Sequence, residues 1–490
     1  MTELERFFEE FKSNIVGNNQ TYKSPYGDKK IIYADWIASG RLYKPIEIKL
    51  LEDFGPFVAN THTETNETGT RMTFAYQHAH KLIKKHVNAN ENDVIITAGF
   101  GMTTVINKLQ RILGFKGCSD KTNNPCFKLN DEKPVVFISH MEHHSNHTSW
   151  LATHTDVIVI EPDENLLINP ENLRRKLEEF KDRKFKIGSF SACSNVTGII
   201  TPYYELAEIM HEYGGICFVD FAASAPYVNI NMHPANSMQK LDAIFFSPHK
   251  FLGGPGSSGV LIFDKSLYKR EIPDHPGGGT VDWTNPWGDY KFIDDIEMRE
   301  DGGTPGFLQA IKTALCIDLK NKMGVERIAA REKELVKTAL SELRKIPQLN
   351  ILANNVDDRI GCISFYVENI HYNLLVKLLS DRFGIQVRGG CACAGTYGHY
   401  LLKVSHEQSA AITSKINSGD FSEKPGWVRL SLHPTMSNNE LFYIVEAIRE
   451  IIENIDNWKK DYDYCSKANE YYHKTFPRKN GYIDKWFSLD

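Results

Sequence analysis

Ser247-Pro248-His249-Lys250-Phe251-Leu252-Gly253-Gly254-Pro255-Gly256-Ser257-Ser258-Gly259 lies between two apolar runs, Leu241 to Phe246 and Val260 to Phe263. Short apolar runs bounded by Gly and Pro predict buried strands. Lys250 therefore sits just past a strand end, in a loop whose glycines let the backbone pass close to a ligand. A lysine that forms a Schiff base needs such a place: fixed by the scaffold, beside a cavity, with an adjustable pKa. Read alone, the lysine fits a solvated turn better. A nucleotide-binding P-loop has the opposite order, its lysine following the glycines.

Moving outward, Gly215-Ile216-Cys217-Phe218-Val219-Asp220 is an apolar strand that ends in a carboxylate. A buried Asp is costly without a partner, although a helix-capping Asp reads the same way locally. Further strands are predicted at Val94–Thr97, Val135–Ser139, Val157–Ile160 and Phe185–Ala192, with helices between them. Such alternation predicts a parallel sheet covered by helices, with its chemistry at the carboxyl ends of the strands. An acid at one strand end and a lysine at another match pyridoxal phosphate, whose ring nitrogen wants a carboxylate and whose aldehyde wants an amine.

A phosphate needs backbone amides and small hydroxyls. Ala98-Gly99-Phe100-Gly101-Met102-Thr103-Thr104 supplies them at a helix start, and Gly302-Gly303-Thr304-Pro305-Gly306 offers a second. His143 could stack on a flat ring; as metal ligands His143, His144 and His147 lack further partners in the sequence nearby, and no metal is expected. Val387-Arg388-Gly389-Gly390-Cys391-Ala392-Cys393-Ala394-Gly395 places two thiols one residue apart on a small-residue turn. It reads as small-residue packing, a weak metal site, or a thiolate nucleophile favoured by Arg388. Arg429, in an otherwise apolar strand, asks for an anionic partner, either a substrate carboxylate or a structural acid.

The chain divides into a helical lead-in over 1–30, a large domain over 31–324, a smaller one over 325–455 and an extension over 456–490. Asn60 to Met72 carries no clear secondary element, residues 114–133 read as a surface insertion, and Ser405 to Pro425 as a mobile loop. The 490 residues carry 57 Lys plus Arg against 62 Asp plus Glu, a balance with no footprint for nucleic acid or an anionic membrane. No run approaches the ~20 apolar residues that span a bilayer. The acidic, amphipathic opening lacks the pattern of a signal or transit peptide. Nine cysteines without a framework fit a reducing cytoplasm.

At these residues the chain resembles the class V aminotransferase superfamily of pyridoxal-phosphate enzymes, and within it the cysteine desulfurase and selenocysteine lyase branch. The likeness runs from about Tyr33 to Ile451. It implies an aspartate-aminotransferase-like α/β fold, with a mainly parallel sheet in the large domain and a smaller α+β C-terminal domain. It implies that Lys250 bonds the cofactor's aldehyde, with Ser247 and His249 beside the phosphate, Asp220 on the pyridine nitrogen and His143 against the ring. Gly101, Met102 and Thr103 would hold the phosphate, and Asn195, in Ser194-Asn195-Val196-Thr197-Gly198, would lie near the phenolic oxygen and the substrate. Thr304 would reach the phosphate of a neighbouring subunit, which implies a homodimer with shared active sites. Arg429, with Asn195 and Arg388, would bind a small amino-acid substrate. Cys393 falls where the desulfurases carry the cysteine that accepts sulfur, and a sulfur-acceptor protein would follow. Two positions depart from the pattern: Ala223 stands where a Gln usually meets the phenolic oxygen, and Cys391 is an additional thiol. The first leaves transamination, racemisation or β-elimination on another amino acid as the alternative reaction.

Overall fold

The computed structural model describes residues 1–116, 133–476 and 482–489; most of the expected 114–133 insertion lies outside them. Seven strands form the central sheet: β1 (Asp93–Ala98), β2 (Val135–Ser139), β3 (Asp156–Ile160), β4 (Lys186–Ser191), β5 (Ile216–Asp220), β6 (Ala243–Phe246) and β7 (Gly259–Asp264). Their spatial order is β1-β7-β6-β5-β4-β2-β3. All neighbours are parallel except β7, which runs antiparallel to β1 and β6.

Alternation explains why these runs are so apolar. Ile96, Ile138, Phe218, Phe245 and Leu261 pack on one face, and Ile95, Phe137, Val219, Ile244 and Ile262 on the other. A sheet covered on both faces buries both sets, so period-two patterning gives way to continuous hydrophobicity. The α/β class and the mainly parallel sheet agree with the sequence reading.

A second, antiparallel sheet is built from β8 (Leu349–Ile351), β9 (Cys362–Val367), β10 (Arg388–Gly390) and β11 (Trp427–Ser431), in the order β8-β9-β11-β10. Helices Val325–Leu343, Tyr372–Phe383 and Asn438–Trp458 share its core. The chain reaches this sheet early as well. Ile32–Tyr33 pairs in parallel with Ile385–Gln386, Asp35 bridges to Ser431, and Ala34 is buried in the same core.

Three local readings need correction. The polar segment ending at Met72 holds the start of a helix, Glu67–His86, because the Asn66 side chain accepts the Gly69 N–H (2.8 Å) and Met72, Tyr76, Ala79 and Ile83 form its buried stripe. The supposed mobile loop contains the helix His406–Asn417, opened by a capping box between Ser405 and Gln408. None of its residues is buried, so it carries no apolar period. The apolar positions Ile46, Leu50 and Leu51 predict one helix, but Lys44–Lys49 gives way to a π-helical turn over Leu50–Phe54. Beyond 456, a hairpin pairs Tyr462–Cys465 with Glu470–His473, and Asn469 ties it to Asn373 and Tyr372.

Candidate active site

The carboxyl ends of β1, β2, β4, β5 and β6 converge on a cavity of about 210 Å³. Its wall includes Met102, Thr103, His143, Asn195, Asp220, Ser247, His249, Lys250, Arg388, Cys393 and Arg429. Two expected site residues stand apart from that wall. Gly101 lies just behind it, where an added Cβ would come within 3.0 Å of Ser247 Oγ and 3.1 Å of the His249 ring. Thr304 is exposed, on the segment leading into the helix Phe307–Met323.

Lys250 ends a short 3-10 turn, Pro248–Lys250, immediately after β6. The glycines around it serve backbone packing. A Cβ on Gly254 would stand 1.9 Å from Pro248 O, and one on Gly40 would stand 1.8 Å from Phe251 O. Burial holds the Lys250 amine at about 8, well below an ordinary lysine, against the opposing pull of Asp220. Asp220 is buried at the end of β5, and its Oδ1 accepts the Ala222 N–H at 2.7 Å. Burial pushes its carboxyl up to about 7, even with that hydrogen bond and the Lys250 charge acting downward.

Opposite them, burial and then the Lys250 charge bring His143 down to about 3, so its imidazole is neutral. Its Nδ1 accepts the Ser145 N–H (3.1 Å), which leaves the ring proton on Nε2. Beneath it the buried Glu142 accepts from Ser139 Oγ (2.5 Å), Ser191 Oγ (2.6 Å) and Asn146 Nδ2 (2.7 Å). Those bonds tie the ends of β2 and β4 to the helix His144–Leu151 and so fix His143. At the start of the helix Met102–Ile112, the Met102 N–H donates to Ser247 Oγ (2.8 Å), and Thr103 Oγ1 lies 2.6 Å from Ser145 Oγ. His249 Nδ1 donates to Phe100 O (2.8 Å).

On the far wall, Arg429 is buried, donating from Nη2 to Asp35 Oδ1 (2.7 Å) and from Nη1 to Asn195 O (3.2 Å). Its Nε has no partner among the described residues. Arg388 Nε donates to the other Asp35 oxygen at 3.1 Å. One carboxylate thus holds both guanidinium groups at the cavity, a role the sequence reading did not assign. Asp35 follows a short strand, the only local signal it carries. Ser145 and Cys193 are further wall residues that sequence reasoning passed over.

The cysteine turn lines the cavity through Ala392 and Cys393. The Ala394 N–H donates to Cys391 O (3.0 Å), and both residues between, Ala392 (φ 49°) and Cys393 (φ 58°), are left-handed. That conformation costs a non-glycine residue roughly 1–2 kcal/mol. Bonds from outside the turn hold it: Asn195 Nδ2 donates to Ala392 O (2.6 Å), the His144 N–H to Cys393 O (2.7 Å), and the Gly395 N–H to His144 Nε2 (2.9 Å). His147 Nδ1 meets Thr396 Oγ1 at 3.2 Å, so both histidines serve as anchors of this loop.

A lysine and a buried acid thus stand at adjacent strand ends, in one cavity with a helix start and an arginine. The aminotransferase class-V family model matches residues 32–443, and the chain belongs to that family of pyridoxal-phosphate-dependent enzymes. A protein of Halalkalibacterium halodurans named probable cysteine desulfurase is 30% identical over 371 residues, covering 74% of this chain and 84% of that one. A Staphylococcus epidermidis protein of the same name is 29% identical over 376 residues, covering 75% and 84%. Among solved structures, an apo cysteine desulfurase from Thermococcus onnurineus superposes with a TM-score of 0.71 at 23% identity, covering 91% of this chain and 98% of that one. An Escherichia coli cysteine desulfurase in its S-sulfonic acid form gives 0.69 at 19%, covering 91% and 98%. These two likenesses show the fold.

Proposed function

We propose that the protein is a cysteine desulfurase that uses pyridoxal phosphate, takes sulfur from cysteine onto Cys393 and leaves alanine. The observation that carries this reading is that Lys250, Asp220, Arg429 and Cys393 line one cavity, in a chain whose relatives bear that name. The cavity's donors suit the cofactor. Asp220 is a buried acid whose raised pKa a cationic ring nitrogen would bring back down. The Met102 helix start, with the Thr103, Ser145 and Ser247 hydroxyls, suits a phosphate. When bound, pyridoxal phosphate supplies the electron sink for charge at the substrate's α-carbon.

The chain's own groups then have distinct tasks. Lys250, neutral above about 8, takes the α-proton and returns it. The neutral His143 ring offers a flat wall without adding charge. Arg429, whose Nε has no partner among the described residues, and Arg388 offer donors to the substrate carboxylate. Asn195 Oδ1, buried and without a partner among the described residues, can accept from the substrate or the cofactor. Cys393, as thiolate, attacks the substrate sulfur; the carbon–sulfur bond breaks, a sulfur–sulfur bond forms and the carbon takes a proton. We further propose a cytoplasmic homodimer in which Thr304 reaches the partner's phosphate, divided into domains over 31–324 and 325–455, with an external sulfur acceptor. Among the described residues, no helix is long and apolar enough to cross a membrane.

Ala223 supports a second reading. It lines the cavity with a methyl group where the resemblance leads one to expect a hydrogen-bond donor, and a different class V reaction would then leave the thiols idle. Incubating holoenzyme with cysteine, selenocysteine and a panel of other amino acids separates the two. Alanine from cysteine supports desulfuration; keto-acid or racemised product from another amino acid, with no alanine, overturns it.

A further inference from the structure

The desulfurase reading uses one thiol of the Cys391-Ala392-Cys393 turn and leaves the other unassigned. Cys393 is exposed and lines the cavity, whereas Cys391 is half-buried, packs against the core and is absent from the cavity wall. The turn that joins them is pinned from three sides, through Asn195, the His144 amide and the His144 ring. Residues i and i+2 of such a tight turn have Cα atoms about 5–6 Å apart, inside the range that sulfur–sulfur bonding requires. Two consecutive left-handed non-glycine residues are costly to maintain, and structures retain such strain chiefly where it serves function. A single acceptor thiol at the cavity requires no second thiol in the same turn.

Resting on the desulfurase reading, we propose that Cys391 is a relay thiol that takes the sulfane sulfur from Cys393 and holds it off the cavity wall. The Cys391 thiolate attacks the terminal sulfur of the Cys393 persulfide. A bond forms between Cys391 Sγ and that sulfur, the bond from it to Cys393 Sγ breaks, and Cys393 leaves as thiolate. The transferred sulfur keeps its hydrogen and its oxidation state, so the exchange needs neither oxidant nor reductant. Cys393 is thereby free for the next substrate, while the sulfur awaits an external thiol in a half-buried position.

The test is one turnover of wild-type holoenzyme with cysteine, quenched with iodoacetamide. Alanine is counted, and tandem mass spectrometry places the added sulfur within the turn peptide. The relay predicts added sulfur on Cys391 in the wild type. In Cys391→Ser the sulfur shifts to Cys393, and in Cys393→Ser Cys391 receives none. Alanine with sulfur confined to Cys393 in the wild type overturns the relay and leaves the desulfurase reading standing. A Cys391–Cys393 disulfide with released sulfide also overturns it, since attack would then fall on the inner sulfur. No alanine and no added sulfur overturn both. The wild-type measurement decides even if a variant fails to fold.

Discussion

The amine of Lys250 must be unprotonated to bond an aldehyde or to take a proton, and burial brings its pKa to about 8. The rate at which cofactor-free protein combines with pyridoxal phosphate is therefore expected to rise with pH through about 8. Stopped-flow absorbance measures it, and a midpoint near that of a free lysine would contradict the burial argument. Arg429 and Arg388 both lower the Lys250 pKa, so Arg429→Gln should move that midpoint upward. Asp35 makes a separate prediction. It holds the buried Arg429 through Nη2, and breaking a buried ion pair by removing one partner costs about 3–5 kcal/mol. Asp35→Ala should lower stability by about that amount in denaturant unfolding, and an unchanged midpoint would show that water or Asn195 suffices. The sequence singled out Arg429 because a charge in an apolar strand stands out, and Arg388 because it precedes the cysteine turn. Their partner lies 353 and 394 positions away, after a two-residue strand that carries no period.

At the level of elements, the central strands were legible because both faces of the sheet are buried, so each strand is a continuous apolar run. The helix His406–Asn417 was illegible for the opposite reason: with nothing buried, only its capping box marks it. The glycines after Lys250 were read as access for a ligand, whereas Gly254 lets the loop fold on its own backbone and Gly40 lets a separate segment press against it. The Gly40 N–H also donates to His249 O at 2.9 Å. Gly40→Ala would drive a methyl into Phe251 O and push the Lys250 turn out of register. Overpacking of this kind costs about 1–3 kcal/mol, and activity should fall more than stability. Equal activity at an unchanged melting temperature would show that the turn tolerates the shift.

Across the whole molecule, the residues proposed to face the cofactor could be grouped from the sequence because each follows a strand of one sheet. Thr304 belongs to a different part of the surface. It is exposed and absent from the cavity wall. The protein is expected to sediment as two copies, and Thr304→Ala to weaken cofactor retention without changing that mass. A fully active monomer in analytical ultracentrifugation would contradict the shared-site arrangement.

The sharpest test compares wild-type holoenzyme with Cys393→Ser, each given cysteine and no external thiol, with alanine and protein-bound sulfane sulfur counted together. Wild type is expected to yield equal amounts of alanine and bound sulfur, and Cys393→Ser to lose both. Alanine and free sulfide from Cys393→Ser at the wild-type rate would contradict that expectation.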